Sequence, residues 1–240
     1  FFATKICISW ESSRKFFPKN KTVLAGNPVR NFQFSRLAAK RAIFNFQLPK
    51  EDLPLIYITG GSSGSHFINT LVKGCIKQLL ENYLVIHQTG DSQNYKDFDS
   101  LIELRNSLSP ELKDRYVLKK FIDPNELFKV YKNTTLVVSR AGANTMKELI
   151  YFGKAAVLIP IPVSQRNEQL KNGLFLKEIG IGDVLEQEGL DSTKLLQKIR
   201  QMFHNIDKYK LKDNKIRDRL ENAALKIIEI LEHVKKKEKK

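Results

Sequence analysis

The sequence predicts an α/β fold built on a mostly parallel sheet, and three observations carry that prediction. Short apolar runs alternate with helix-like runs from Asp52 onward, the pattern of right-handed βαβ units. Two glycine-rich turns, Thr59-Gly60-Gly61-Ser62-Ser63-Gly64 and Ser139-Arg140-Ala141-Gly142-Ala143-Asn144-Thr145, each stand between a strand-like and a helix-like run. Polar and glycine residues also gather after the strands, as in His87-Gln88-Thr89-Gly90, Phe121-Ile122-Asp123-Pro124 and Pro160-Ile161-Pro162. That is the rim where open α/β sheets bind their ligands.

In chain order, the first thirty residues read as a strand at Lys5 to Ser9, a helix or loop, and a strand at Thr22 to Ala25, too few to form a core of their own. Further strands are expected at Leu55–Thr59, Leu84–Gln88, Tyr116–Lys120, Thr135–Ser139, Ala155–Ile159 and Gly182–Leu185. Helices are expected at about 67–81, 97–107, 125–132, 145–152, 166–179 and 191–203, with a last amphipathic helix from Lys215 to Val234.

Bulk properties narrow the function. A chain of 240 residues with 42% hydrophobic content can bury a core. Two cysteines, Cys7 and Cys75, give neither a disulfide framework nor metal-ligand spacing, which points to a reducing compartment. No apolar run approaches the ~20 residues of a membrane span, and no signal peptide is visible. Phe1 stands where an initiator Met would be, so we expect a piece of a longer protein. The net charge of +15 would suit nucleic acid or an anionic membrane. Its crowding toward Lys235-Lys236-Lys237, with no zinc-finger spacing, RNA-recognition motif or basic recognition helix, argues against nucleic acid.

The chemistry lies in the turns. A strand that bends sharply into a helix leaves backbone N–H groups unpaired at the positive end of the helix dipole, a natural phosphate site. Two such turns point to a diphosphate ligand, a nucleotide conjugate. The first turn lacks both the G-x-G-x-x-G spacing of a dinucleotide fold and the Lys-Ser/Thr of a P-loop. Ser62 could donate to a phosphate oxygen or merely cap the helix. Gly142 and Ala143 let a ligand approach the backbone closely, and Glu148 falls one turn into the helix, within reach of a ribose or simply facing the dipole. Arg140 is equally a phosphate contact or a surface charge. Gln169 and Asn172 share a helix face, and amides suit sugar hydroxyls, although a solvated helix start explains them as well. His87 reads as a satisfied polar residue rather than a base, and His66, His204 and His233 carry no pattern.

Taken together, these motifs resemble the carboxy-terminal half of the MurG glycosyltransferases of bacterial cell-wall synthesis, in glycosyltransferase family 28. The marks are Gly26-Asn27-Pro28-Val29-Arg30, Gly60-Gly61-Ser62-x-Gly64 with Asn69, His87-Gln88-x-Gly90, Phe121-Ile122-Asp123, Ser139-Arg140-Ala141-Gly142-Ala143-x-Thr145 with Glu148, Gly153-Lys154, and Gln169-x-x-Asn172. Each is weak alone, and their order and spacing over Lys5 to Leu231 are specific. Ser63, Glu168 and Gly173 depart from the family's usual Gln, His or Gln, and Ala.

The resemblance implies a GT-B architecture, two Rossmann-like domains across a cleft. Residues 1–31 would end the amino-terminal domain and its linker, 32–212 would be the donor domain, and 213–240 the carboxy-terminal helix and basic tail. It further implies transfer of N-acetylglucosamine, with inversion, from UDP-N-acetylglucosamine to lipid I, giving lipid II, without metal or other cofactor, at the cytoplasmic face of an anionic bacterial membrane. Arg30 and Ser62 would contact the diphosphate, and Gly61, Gly142 and Ala143 would belong to the same donor site. Ile122 would pair its backbone with uracil, Glu148 would hold the ribose, and Gln169 with Asn172 would read the sugar. The family's catalytic base and acceptor surface lie in its amino-terminal domain, so no base is assigned. The competing readings are a separate donor-binding subunit of a two-subunit GT-B transferase acting on another lipid-linked sugar, and a basic scaffold.

Overall fold

The computed structural model describes residues 3–28, 52–91, 94–164 and 167–238. The chain divides into two compact units, Phe1–Asn31 with Asp213–Lys240, and Phe32–Lys212.

In the smaller unit, strands β1 (Ile6–Ile8) and β2 (Thr22–Leu24) pair in parallel. Helix α8 (Lys215–Glu238) belongs to the same unit. It passes so close to Gly26 that a Cβ there would lie 2.8 Å from the Arg219 carbonyl, and it buries Leu220 and Ala223. The two ends of the chain, each too short to form a core, thus share one.

The larger unit is a six-stranded, all-parallel sheet. Its strands are β3 (Leu55–Thr59), β4 (Leu84–Gln88), β5 (Tyr116–Lys119), β6 (Leu136–Ser139), β7 (Ala155–Leu158) and β8 (Gly182–Val184), in the order β5-β4-β3-β6-β7-β8. The helices between them are α1 (His66–Leu80), α2 (Asp97–Asn106), α3 (Pro110–Asp114), α4 (Pro124–Asn133), α5 (Ala143–Phe152), α6 (Glu168–Glu178) and α7 (Ser192–His204). Strands β3, β4, β6 and β7 are buried along their whole length, as expected where helices cover both faces of a parallel sheet. The expected strands and longer helices form within three residues of their expected bounds, except that α8 runs four residues past its expected end at Val234. The short α3 is additional; Pro110 at its first turn starts a helix that five residues cannot announce by periodicity.

This strand order is the doubly wound one, in which successive crossovers reverse direction between the first and fourth strands of the sheet. Here those are β3 and β6, which pair directly with Thr59 opposite Ser139. The two glycine-rich turns follow these residues, so the topology sets them side by side at the switch point.

Candidate functional site

Backbone geometry shapes the first turn. Gly61 adopts φ +88°, and a Cβ built on it would meet nothing within 4 Å. Gly64, at φ +76°, has no such room, because its Cβ would lie 2.0 Å from the Thr89 carbonyl oxygen. Gly90, at φ +74°, faces it, its Cβ falling 2.4 Å from the Gly64 Cα. The turn after β3 and the loop after β4 therefore interlock backbone to backbone. The cap of α1 is Ser65, whose Oγ accepts from the Ile68 amide at 3.4 Å. Ser62 is thereby relieved of the capping role and stands exposed on the turn.

The second turn opens helix α5 two residues earlier than expected. Gly142 is its N-cap, at φ −69° and ψ 154°, and brings no side-chain acceptor to the amides of the first turn. A Cβ on Gly142 would meet nothing within 4 Å, and Ala143 and Asn144 are exposed. Among the described residues, this is an uncapped helix N-terminus facing the same rim as Ser62.

Glu148 sits half-buried on α5, and its Oε2 accepts a 2.9 Å hydrogen bond from the hydroxyl of Tyr131 on α4. Tyr131 is itself buried, stacked on Phe152 with ring centroids 5.0 Å apart. The carboxylate is thus aimed by a fixed donor. Ile122 is buried beyond the end of β5, and its amide donates to the Gln88 Oε1 at 3.2 Å. Gln88, whose sequence context is only the His87-Gln88-x-Gly90 motif, lies in the fold between the Ile122 loop and the first glycine-rich turn.

On α6, the Gln169 Oε1 accepts from the Ile161 amide at 3.2 Å, and the Asn172 Nδ2 donates to the Ala141 carbonyl at 3.0 Å. Asn172 therefore ties α6 to the second turn. On the next residue, a Cβ added to Gly173 would lie 3.0 Å from the Val184 Cγ2 on β8, so α6 packs tightly there. Arg30 lies outside the described residues, as do Gln165 and Arg166. The structure brings together Gly61, Ser62, Gly142, Ala143 and Glu148 around the switch point, with Ile122 toward β5 and Gln169 and Asn172 toward β7.

Arg140 is not a free surface charge. It is half-buried and spans three segments, donating from Nε to the Ser65 Oγ at 3.1 Å and from Nη1 to the Ile159 carbonyl at 3.0 Å and the Gln187 Oε1 at 2.9 Å. Burial lowers its pKa from the ordinary value. It is a structural tie beneath both turns. His87 is fully buried between the Tyr116 hydroxyl (2.9 Å) and the Asn69 Oδ1 (3.0 Å), and desolvation lowers its pKa to about 3. An imidazole held neutral with both nitrogens engaged is a satisfied core residue, as expected. Asn69 continues the network, donating to the Thr89 carbonyl at 3.1 Å and to the Asp97 Oδ2 at 2.8 Å. Among the described residues, no cluster of three metal-ligating side chains occurs, and no helix is long and apolar enough to cross a membrane.

Residues 55–229 match the profile of the glycosyltransferase family 28 C-terminal domain. A UDP-N-acetylglucosamine--N-acetylmuramyl-(pentapeptide) pyrophosphoryl-undecaprenol N-acetylglucosamine transferase of Clostridium kluyveri is 31% identical, the match covering 98% of this chain and 62% of the relative. The Treponema denticola protein of the same name is also 31% identical, over 84% of this chain and 51% of the relative. The chain thus spans between about half and three-fifths of the length of these relatives. Among solved structures, Acinetobacter baumannii MurG superposes with a TM-score of 0.67 at 23% identity, covering 96% of this chain and 61% of that one. UDP-N-acetylglucosamine 2-epimerase from Neisseria meningitidis, bound to UDP-N-acetylglucosamine, gives 0.62 at 14% identity, covering 90% and 56%. At these identities the superpositions speak for the fold, a Rossmann-like half of a GT-B architecture. The chain belongs to glycosyltransferase family 28, and residues 55–229 are its C-terminal domain.

Proposed function

We propose that this chain is the donor-binding part of an inverting glycosyltransferase that moves N-acetylglucosamine from UDP-N-acetylglucosamine to lipid I, forming lipid II. The observation that carries the reading is the pairing of Thr59 with Ser139, which sets an exposed serine turn and an uncapped helix N-terminus side by side at the switch point. Similarity to transferases of that name supports the choice of substrate.

In this reading the amides around Gly61, Ser62, Gly142 and Ala143 hold the diphosphate, joined by Arg30. The Ile122 backbone meets the uracil, Glu148 accepts from the ribose hydroxyls, and Gln169 with Asn172 contact the sugar. The acceptor hydroxyl attacks the anomeric carbon from the face opposite UDP, and the bond from that carbon to the diphosphate oxygen breaks. Negative charge then builds on the departing UDP, where oriented amides and the α5 dipole stabilise it without a metal. The base that takes the acceptor's proton, and the lipid I surface, belong to the part of the relatives that this chain does not span. Residues 32–212 would form the donor domain, and the positive charge would favour peripheral contact with an anionic membrane at its cytoplasmic face.

Isothermal titration and thermal shift on the 240-residue chain test the donor assignment. UDP-N-acetylglucosamine should bind and raise Tm where ADP and NAD do not, and Glu148→Ala should weaken that binding by at least about tenfold, the cost of losing a charge-assisted hydrogen-bond acceptor. A chain indifferent to every UDP-sugar refutes the assignment.

A further inference from the structure

Gln88 is a buried amide at the end of β4 whose two ends work on different loops. Its Oε1 accepts from the Ile122 amide at 3.2 Å, with the Tyr57 hydroxyl at 3.4 Å, and its Nε2 donates to the Gly61 carbonyl at 3.2 Å. Burial pushes the Tyr57 pKa up, so that hydroxyl stays a donor. The Gly61 carbonyl also accepts from the Gly64 amide at 3.2 Å, and the Gly61 amide donates to the Thr59 Oγ1 at 3.0 Å. Those two bonds are internal to the turn and fix its shape. The bond from Gln88 reaches the turn from a neighbouring strand and fixes its place.

Peptide geometry gives this bond a direction. No cis peptide occurs among the described residues, and in a trans peptide the carbonyl and the following N–H point opposite ways. A Gly61 carbonyl drawn down onto Gln88 therefore turns the Ser62 amide outward, toward the rim. The same side chain holds the Ile122 amide. We propose that Gln88 is a positioning residue that sets the span between the diphosphate turn and the base-binding loop, so that one rigid amide gauges a ligand carrying both a uracil and a diphosphate. This inference rests on the donor-site reading above, and it adds a role for a residue that does not itself touch the ligand.

A gauge differs from a simple structural residue in what its loss does. If Gln88 sets the distance between two subsites, removing it penalises a ligand that must reach both and spares a ligand that occupies one. The test is an NMR titration of the full chain and its Gln88→Met variant with UDP, uridine and inorganic pyrophosphate. Methionine keeps the size and removes all three hydrogen bonds, those to Ile122, Tyr57 and Gly61. We expect the UDP Kd to rise roughly tenfold or more, while those for uridine and pyrophosphate each change by less than about twofold.

Gln88→Glu supplies a second readout. Above its pKa the new carboxylate can accept from Ile122 but repels the Gly61 carbonyl. Once protonated, it can donate to that carbonyl and accept from Ile122, as the amide does. UDP affinity of this variant relative to wild type should therefore recover as pH falls from 8 toward 5, burial having moved the recovery above the ordinary carboxylate range. Equal weakening of all three ligands, or no weakening, overturns the proposal. Should Gln88→Met fail to fold, a flat relative pH profile for Gln88→Glu overturns it alone. A wild-type chain that binds none of the ligands overturns the donor-site reading instead, and this inference with it.

Discussion

Replacing Gly64 by alanine probes the interlocked loops beneath the site. At φ +76° an L-residue is strained by about 1–2 kcal/mol. The added Cβ would also stand 2.0 Å from the Thr89 carbonyl oxygen and 3.0 Å from the Gly90 Cα, against a normal separation of about 3.5 Å. Both neighbours are backbone, so no rotamer relieves the clash, and parting the loops adds about 1–3 kcal/mol, the usual range for overpacking. Restricting the unfolded chain returns about 0.4–1 kcal/mol. The net expectation is a loss of about 2–4 kcal/mol, or a fall in Tm of roughly 5–12 °C for a unit of this size. Gly61→Ala is the control: its φ is +88° but its Cβ has open space, so only the strain remains. Urea and thermal melts of the three proteins measure the difference. If Gly64→Ala melts within about a degree of wild type, or no lower than Gly61→Ala, the reasoning from backbone contact is wrong.

Two further outcomes are expected. Gly142→Ala adds a Cβ in open space at an ordinary φ of −69°. Ala caps a helix less well than Gly, but restricting the unfolded chain returns about 0.4–1 kcal/mol, so melts should stay within about 1 kcal/mol of wild type. UDP affinity should nevertheless fall roughly tenfold or more by titration calorimetry, because that space is where the diphosphate would approach the backbone. His87 contributes to acid sensitivity. Its pKa in the fold is depressed to about 3, so below the ordinary value of 6.5 the unfolded chain binds a proton that the native chain refuses. Its contribution is complete above pH 6.5 and shrinks as pH falls toward 3, by about 2 kcal/mol between pH 7 and pH 5. Urea titrations at those two pH values, with His87→Gln lacking that part of the loss, check the sign and the size.

The architecture was legible because its signals are local. Leu55–Thr59 and Leu136–Ser139 are continuous apolar runs, as a strand covered on both faces must be, and each ends in a turn whose glycines announce themselves. Helix α5 starts two residues before the expected Thr145, since Gly142 caps it with nothing but backbone and leaves no side-chain signal in the sequence. The site candidates Ser62, Gly142 and Glu148 follow from their place in these turns, and their family resemblance agrees with the match over residues 55–229.

The partners of polar side chains were not legible, because they depend on strand order. Arg140 meets Ser65, 75 positions away, and Gln187, 47 away, only because β3, β6 and β7 lie side by side. Gln88 reaches Gly61 and Ile122 across gaps of 27 and 34 residues for the same reason, since β4 lies between β3 and β5. Local signals in the chain specify a parallel α/β unit with two glycine-rich turns, since apolar periodicity and glycine conformation act over a few residues. The tertiary structure decided that the turns adjoin, and that Arg140 and Gln88 brace them from below. A hydrogen bond needs its partners within about 3 Å, and only the order of the strands brings residues so far apart in the chain to that distance.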